Sequence, residues 1–167
     1  KKFGLDKVKV FGNIPYYISS AIIESLIKFR YNITEIFITV QKEYAQRLVS
    51  ESGSKVYGSF SCFVAYYTQP HILMDIKRGS FSPAPKVDSS LVKLAVRGEP
   101  SVKVSDEKFL FRIIRAAFNK RRKALRNSLE GVVSKEKIER FFAENSLSPG
   151  TRPEMLTLAH FADLSED

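Results

Sequence analysis

Four consecutive residues, Asn13-Ile14-Pro15-Tyr16, carry the most specific chemical possibility in the chain. They stand where a short apolar run, Val8, Val10 and Phe11, stops at Gly12 and a helix is about to begin. In an open α/β sheet, ligands bind at the carboxyl ends of strands. The Asn13 side chain offers a carbonyl acceptor, and the fixed φ of Pro15 holds the backbone carbonyl of Ile14 in one direction as a second. Two acceptors aimed at the hydrogens of an exocyclic base amine draw its delocalised lone pair toward a tetrahedral, nucleophilic geometry. Methyl transfer to adenine N6 needs that. Tyr16 adds a flat face on which an extruded base stacks. The same residues also compose an ordinary strand exit, because Asn and Pro are common in turns, and the tetrapeptide alone leaves both readings open.

A second feature lies far along the chain. Between Arg112 and Arg126 there are seven basic residues and no acid: Arg112, Arg115, Lys120, Arg121, Arg122, Lys123 and Arg126. A charge run by itself reads as a solvated helix face. Solvated faces, however, usually mix signs for i,i+4 pairing, and packed like charges repel unless an anion neutralises them. Beside a base-binding motif, phosphate is the favoured anion.

The elements that must position these residues follow from periodicity. Ile18, Ile22, Leu26 and Phe29 recur at helical spacing, with Ser19 and Ser20 near the start as caps. Ile33 to Val40 is a β-branched and aromatic run of the kind expected of a buried parallel strand. Residues 42–48 and 58–67 read as helices, and 72–76 and 87–96 as two strands, antiparallel to each other, joined by the loop 77–86. Beyond Gly98 the strand pattern ends, and 109–129, 135–144 and 153–164 read as helices. The expectation is an α/β part over residues 1–98 followed by a small all-α domain over 99–167.

Composition narrows the partners. The chain has 27 Lys and Arg against 18 Asp and Glu, a net charge of +9, and a pI near 9.7. Such an excess points to a polyanion, either nucleic acid or an anionic surface. Residues 1–98 carry fourteen basic and seven acidic side chains, and 99–167 carry thirteen and eleven, so the densest basic cluster lies in the more balanced part. No apolar run approaches the ~18 residues of a membrane span, and residues 1–10 alternate charge with apolar side chains unlike a signal peptide. The single Cys62 rules out an intrachain disulfide and a cysteine zinc site, and His71 and His160 lack metal-ligand spacing, so no metal is expected. A reducing, cytoplasmic location fits this usage.

The run Val10-Phe-Gly-Asn-Ile-Pro-Tyr16 resembles the target-base motif of the ribosomal RNA small-subunit adenine-N6,N6-dimethyltransferases. Five further blocks resemble that family in its own order. They are Gln41-Lys-Glu-Tyr-Ala-Gln-Arg-Leu48, Tyr57-Gly-Ser-Phe-Ser61, Phe81-Ser-Pro-Ala-Pro-Lys-Val-Asp-Ser-Ser90, Phe118-Asn-Lys-Arg-Arg-Lys-Ala-Leu-Arg-Asn-Ser-Leu129 and Arg152-Pro-Glu-Met-Leu156. Together they span nearly the whole chain. The resemblance implies an S-adenosylmethionine enzyme that dimethylates two adjacent adenines near the 3′ end of small-subunit ribosomal RNA. Asn13 would touch the cofactor's methionine end and the target amine, Tyr16 would stack on the adenine, and Phe81 would approach from the other side. Pro83 and Pro85 would stiffen the Phe81 loop. Lys86 would meet a phosphate or stand solvated, and Arg121, Arg122, Lys123 and Arg126 fall in the family's basic stretch, implying contact with the RNA backbone. Tyr17 stands where many relatives carry Asn.

One departure is large. The eight glycines, at 4, 12, 53, 58, 79, 98, 131 and 150, form no Gly-x-Gly, whereas such methyltransferases hold the cofactor on a glycine-rich turn followed by a ribose-binding acid. The expectation is therefore the C-terminal part of a Rossmann-like methyltransferase sheet, with an incomplete cofactor site and Val8–Phe11 as an unpaired edge open to self-association. Three other readings are weighed against it. A large-subunit RNA adenine methyltransferase shares the Asn-x-Pro-Tyr idea but not the basic helix and the Arg-Pro-Glu-x-Leu ending. An RNA-binding assembly or transcription accessory factor has no need of Asn13, Tyr16 and Phe81. A basic membrane-surface protein would favour Trp, which is absent.

Overall fold

The computed structural model describes residues 7–120 and 123–166. The chain divides into two compact units, Lys1–Val49 with Tyr67–Ser101, and Ser50–Tyr66 with Val102–Asp167.

The first unit is built on a four-stranded sheet of order β1-β2-β4-β3. Strand β1 (Val8–Asn13) runs parallel to β2 (Ile33–Gln41), with α1 (Ser19–Lys28) on the connection between them. β4 (Ser89–Val96) lies antiparallel to β2 on one side and to β3 (Thr68–Ile76) on the other. β3 and β4, joined by residues 77–88, form the antiparallel pair expected from the sequence. Helix α2 (Lys42–Leu48) follows β2 directly.

Two readings of periodicity are corrected here. The buried face of α1 is Ser19, Ile23 and Ile27, whereas Ile18 and Phe29 are exposed. Ile22–Ile23 and Leu26–Ile27 are adjacent apolar pairs, so two stripes one residue apart satisfy the same spacing, and the path of the chain between the strands selects one. Nor is β2 buried on both faces. Ile36, Ile38 and Val40 are fully buried, and Ile36 and Ile38 stand opposite the buried Leu94 and Val92 of β4; such side chains contribute about 1.5–3 kcal/mol each. The other face carries Glu35, held by Lys9 at 2.7 Å and Lys93 at 2.5 Å, and Phe37, stacked on Phe11 at 4.7 Å. A β-branched run conceals this alternation.

The second unit is helical. It takes in α3 (Ser59–Tyr67) up to Tyr66, which in sequence lies among the strands, because Tyr57, Phe63 and Tyr66 make ring contacts with Phe111 and Phe118 of α4 (Glu107–Asn119). Asp106 caps α4 by accepting the Phe109 N–H, and Leu110, Ile113, Ile114, Ala117 and Phe118 form its buried stripe. The single helix expected over 109–129 is instead two. Helix α4 ends at Asn119 and α5 covers Leu125–Leu129. Seven like charges without an acid give no i,i+4 pairing to carry a helix through. Helix α6 (Lys135–Glu144) starts on a Ser134 cap. The reading of 153–164 as one helix also breaks, into a 3-10 turn at Pro153–Met155 and α7 (Leu158–Ser165). The cause is Thr157, which accepts the His160 N–H while the His160 ring accepts the Thr157 N–H, a capping box that restarts the helix.

Candidate active site

Asn13 is the last residue of β1, paired with Thr39 of β2. The chain leaves the sheet through Ile14 and Pro15 (φ −61°, ψ 130°) into a 3-10 turn at Tyr16–Ile18 and then into α1. Ser19 fixes this exit. Its buried hydroxyl donates to the carbonyls of Pro15 at 3.3 Å and Tyr16 at 3.1 Å, and the Ile18 N–H adds a bond to Pro15. Ser19 thus braces the turn from inside the helix and does not cap it; the residue at the cap position is Ile18. Neither the Asn13 side chain nor the Ile14 carbonyl is engaged by another described residue, so both stay open as acceptors.

Asn13, Ile14, Pro15 and Tyr16 share one open cleft of about 580 Å³ with Phe81, Pro83 and Pro85. The five residues singled out from sequence for base chemistry are therefore gathered in one place, with Phe81 arriving from the β3–β4 connection. Phe81 follows a 3-10 turn at Arg78–Ser80, and its N–H bonds the Arg78 carbonyl at 3.3 Å. That turn hangs on Asp88, whose carboxylate accepts the Arg78 N–H at 3.0 Å and the Lys77 ammonium at 3.3 Å. The Arg78 N–H, with Lys77 assisting, holds the Asp88 carboxyl below its ordinary value. Close by, Lys42 pairs with Asp75, which also accepts the Ser90 hydroxyl at 2.7 Å; Lys42, and then Ser90, lower the Asp75 pKa.

Sequence reasoning missed Ser89. Its hydroxyl lies 2.5 Å from the Tyr16 hydroxyl, and the residue is fully buried. Within the Phe81–Ser90 block it reads only as an early residue of the strand expected over 87–96, and no local signal announces a partner 73 positions away.

The residues assigned to RNA separate into three groups. Arg121 and Arg122 lie outside the described residues. Lys123 is exposed, as are Arg112, Arg115 and Lys120, and none of the four forms an ion pair with another described residue. Arg126 differs: its guanidinium bonds Glu139 at 2.9 Å and lies 5.3 Å from the Phe142 ring centroid, so its charge is already matched inside the unit. Lys86, in the first unit, is exposed and lines a second cleft of about 590 Å³ with Lys42, Arg78 and Asp88. Cys62 is buried against the Tyr57 hydroxyl at 3.0 Å, and burial pushes its thiol up to about 12, which removes it as a nucleophile near neutral pH.

The residues present fit S-adenosylmethionine only in part. Asn13 stands free at the end of a strand, where a ligand's polar end can be met. Among the described residues the positive-φ glycines are Gly53 and Gly131, both in the second unit and neither following a strand. Among those residues there is also no helix long and apolar enough to cross a membrane and no group of three metal-ligating side chains.

The comparisons with known proteins agree with one another. The family model described as ribosomal RNA adenine dimethylase matches residues 4–166. The ribosomal RNA small subunit methyltransferase A of Geobacillus sp. (strain WCH70) is 41% identical over 167 residues, covering 97% of this chain and 57% of that protein. The protein of the same name from Moorella thermoacetica is 41% identical over 162 residues, covering 96% and 56%. The chain thus spans little more than half the length of these relatives. Among solved structures, a dimethyladenosine transferase from Plasmodium falciparum superposes with a TM-score of 0.75 at 25% identity, over 98% of this chain and 67% of the other. The 23S rRNA methyltransferase ErmE gives 0.74 at 18% identity, over 96% and 64%, a likeness of fold. The mixed sheet and its helices therefore have the Rossmann-like methyltransferase architecture.

Proposed function

The chain belongs to the ribosomal RNA adenine dimethylase family, and from that premise we propose that it is the C-terminal part of an RNA adenine-N6 methyltransferase. The whole protein places two methyl groups on each of two adjacent adenines near the 3′ end of small-subunit ribosomal RNA, within the cytoplasm. Residues 1–98 hold the target base, and residues 99–167 dock the RNA of the small ribosomal subunit.

The observation that carries this reading is the cleft shared by Asn13, Ile14, Pro15, Tyr16 and Phe81. An adenine swung out of its stack lies between the Tyr16 and Phe81 rings. Its amine then donates one hydrogen to the Asn13 side-chain oxygen and one to the Ile14 carbonyl. These bonds strengthen as the nitrogen becomes tetrahedral, so they favour the transition state over the ground state. S-adenosylmethionine, when bound, supplies the electrophilic methyl group. Asn13 touches its methionine end, and the remaining contacts belong to a part of the protein outside these residues. Arg112, Arg115, Lys120 and Lys123, with Arg121 and Arg122 of the same run, neutralise RNA phosphates, and Lys86 meets a phosphate beside the cleft.

β1 also ends the sheet, with Phe11 72% exposed. An apolar edge of this kind pairs with another strand, and in these residues alone we expect it to drive self-association.

Two measurements test the reading. The whole protein, given labelled cofactor and small-subunit RNA, should yield dimethyladenosine at two adjacent positions. The present 167 residues should bind RNA at low salt and self-associate in sedimentation, with little or no heat on titration of S-adenosylmethionine. Micromolar cofactor binding by these residues would show that the glycine turn is dispensable and overturn the division of labour.

A further inference from the structure

We propose that Asp88, which immediately precedes β4, and Ser89, its first residue, are positioning residues that together set the spacing of the two aromatic walls of the base cleft. The inference rests on the reading of that cleft as an adenine site. Tyr16 and Phe81 reach it from connections 65 positions apart in sequence, and neither ring sits on a strand or an α-helix. Stacking energy falls steeply when two faces are a fraction of an ångström too far apart, so something must define the gap.

The two residues are adjacent in the chain, and each holds one wall. Ser89, fully buried in the sheet, meets the Tyr16 hydroxyl at 2.5 Å. That is the one side-chain hydrogen bond Tyr16 makes with a described residue, and it fixes the far end of the ring. Asp88 holds the other wall. Its Oδ1 accepts the Arg78 N–H at 3.0 Å, its Oδ2 the Lys77 ammonium at 3.3 Å, and the Arg78 carbonyl in turn accepts the Phe81 N–H at 3.3 Å. Its own carbonyl takes the Lys42 N–H at 3.0 Å, tying the pair to the start of α2. Both walls thus refer to two adjacent residues at the junction of the β3–β4 connection and β4.

A hydroxyl that only filled space would make Tyr16→Phe harmless; a hydroxyl that orients the ring makes it costly. The probe is a single-stranded RNA hexamer with 2-aminopurine in place of one adenine, whose fluorescence is quenched on stacking against an aromatic ring. With the present chain, Ser89→Ala and Tyr16→Phe should each weaken quench-detected binding about fivefold, the equivalent of one neutral hydrogen bond of about 1 kcal/mol. The double variant should be no worse than either single one, because both remove the same bond. Ser89→Thr, which keeps the hydroxyl, should bind within about twofold of the parent, and Asp88→Ala should weaken binding without altering the Ser89–Tyr16 coupling. Additive losses, or no loss in Tyr16→Phe, would overturn the proposal, and the latter stays informative even if Ser89→Ala folds poorly. If Tyr16→Ala and Phe81→Ala leave quenching intact, the adenine-site reading falls as well. If they abolish it while Ser89→Ala does nothing, the positioning role alone is lost.

Discussion

The two functional regions of this molecule handle charge in opposite ways. In the sheet unit the carboxylates nearest the base cleft are matched: Asp88 by Lys77 and the Arg78 N–H, and Asp75 by Lys42 and Ser90, as Glu35 within β2 is by Lys9 and Lys93. On and after α4 the exposed cations Arg112, Arg115, Lys120 and Lys123 form no ion pair with a described residue, whereas Arg126 has its acid, Glu139. Matched charges hold backbone and rings in place and leave the cleft to neutral acceptors and aromatic faces. Unmatched charges store repulsion that an incoming polyanion relieves. One region is built to be rigid and specific, the other to attract without reading sequence.

The sharpest way to break this contrast is at Asn13. In the whole protein, Asn13→Ala removes an acceptor used mainly in the transition state, and methyl transfer to ribosomal RNA should fall by about 10²-fold or more, the scale of a single catalytic hydrogen-bonding group. RNA affinity should not change. Near-normal turnover would remove Asn13 from the chemistry and leave the cleft as a binding surface only.

Next in size is stacking. Tyr16→Ala and Phe81→Ala should each weaken capture of the flipped adenine by about 1–3 kcal/mol, the range for base–aromatic stacking. From sequence alone the Tyr16 ring accounts for the whole effect and Tyr16→Phe is mild. The bond to Ser89 changes that expectation, and Tyr16→Phe should fall between the parent and Tyr16→Ala. A Phe81→Ala variant with full affinity would mean that one wall is enough.

On the basic side the contrast concerns salt. Replacing Arg112, Arg115 and Lys123 with Ala should flatten the log–log salt dependence of binding. The slope should fall by about 0.7 for each phosphate that is no longer neutralised on single-stranded RNA, and somewhat more on duplex. Arg126→Ala should behave differently. Its guanidinium is held by Glu139 and Phe142, so its loss should lower the melting temperature and leave the salt slope nearly unchanged. If Arg126→Ala shifts the slope as much as the others, matched and unmatched charges are not distinct classes here.

Much of this was legible in the sequence, for identifiable reasons. The strand-to-helix exit at Asn13–Tyr16 and helices α2 and α6 each depend on local spacing, with a local cap at Ser134 for α6, and the residues at 13–16 and 81 meet in one cleft. What stayed hidden depends on distant partners or on equal local alternatives. The buried stripe of α1 could not be chosen between two adjacent apolar rows. The alternation of β2 is masked because its exposed-side positions include Phe37 as well as Glu35. The Ser89–Tyr16 bond and the Arg126–Glu139 pair join residues whose types predict nothing about each other. The association of α3 with α4 rests on rings at Phe63, Tyr66 and Phe111 that sequence alone assigns to separate parts.

The smallest expected effect concerns acid, and it tests whether matched charge really holds the Phe81 loop. The Arg78 N–H, then Lys77, keeps the Asp88 carboxyl below its ordinary value of 3.8. A carboxylate whose folded pKa is depressed stabilises the fold above its unfolded value, and that contribution disappears as the pH falls through the folded one. The loop should therefore keep its structure at neutral and mildly acidic pH and loosen only below about 3.8. Asp75, lowered by Lys42 and Ser90, titrates in the same direction, so its effect adds to that of Asp88. Asp88→Asn separates them. It retains an acceptor for the Arg78 N–H, cannot titrate and gives up the Lys77 ion pair. Followed by the ring resonances of Phe81, the variant should start slightly looser at neutral pH and change less than the parent on acidification, with Asp75 providing what change remains. An acid transition of the same size in both proteins would mean that the Asp88 carboxylate does not restrain Phe81, and the rigid wall of the cleft would have to be traced to Pro83 and Pro85 instead.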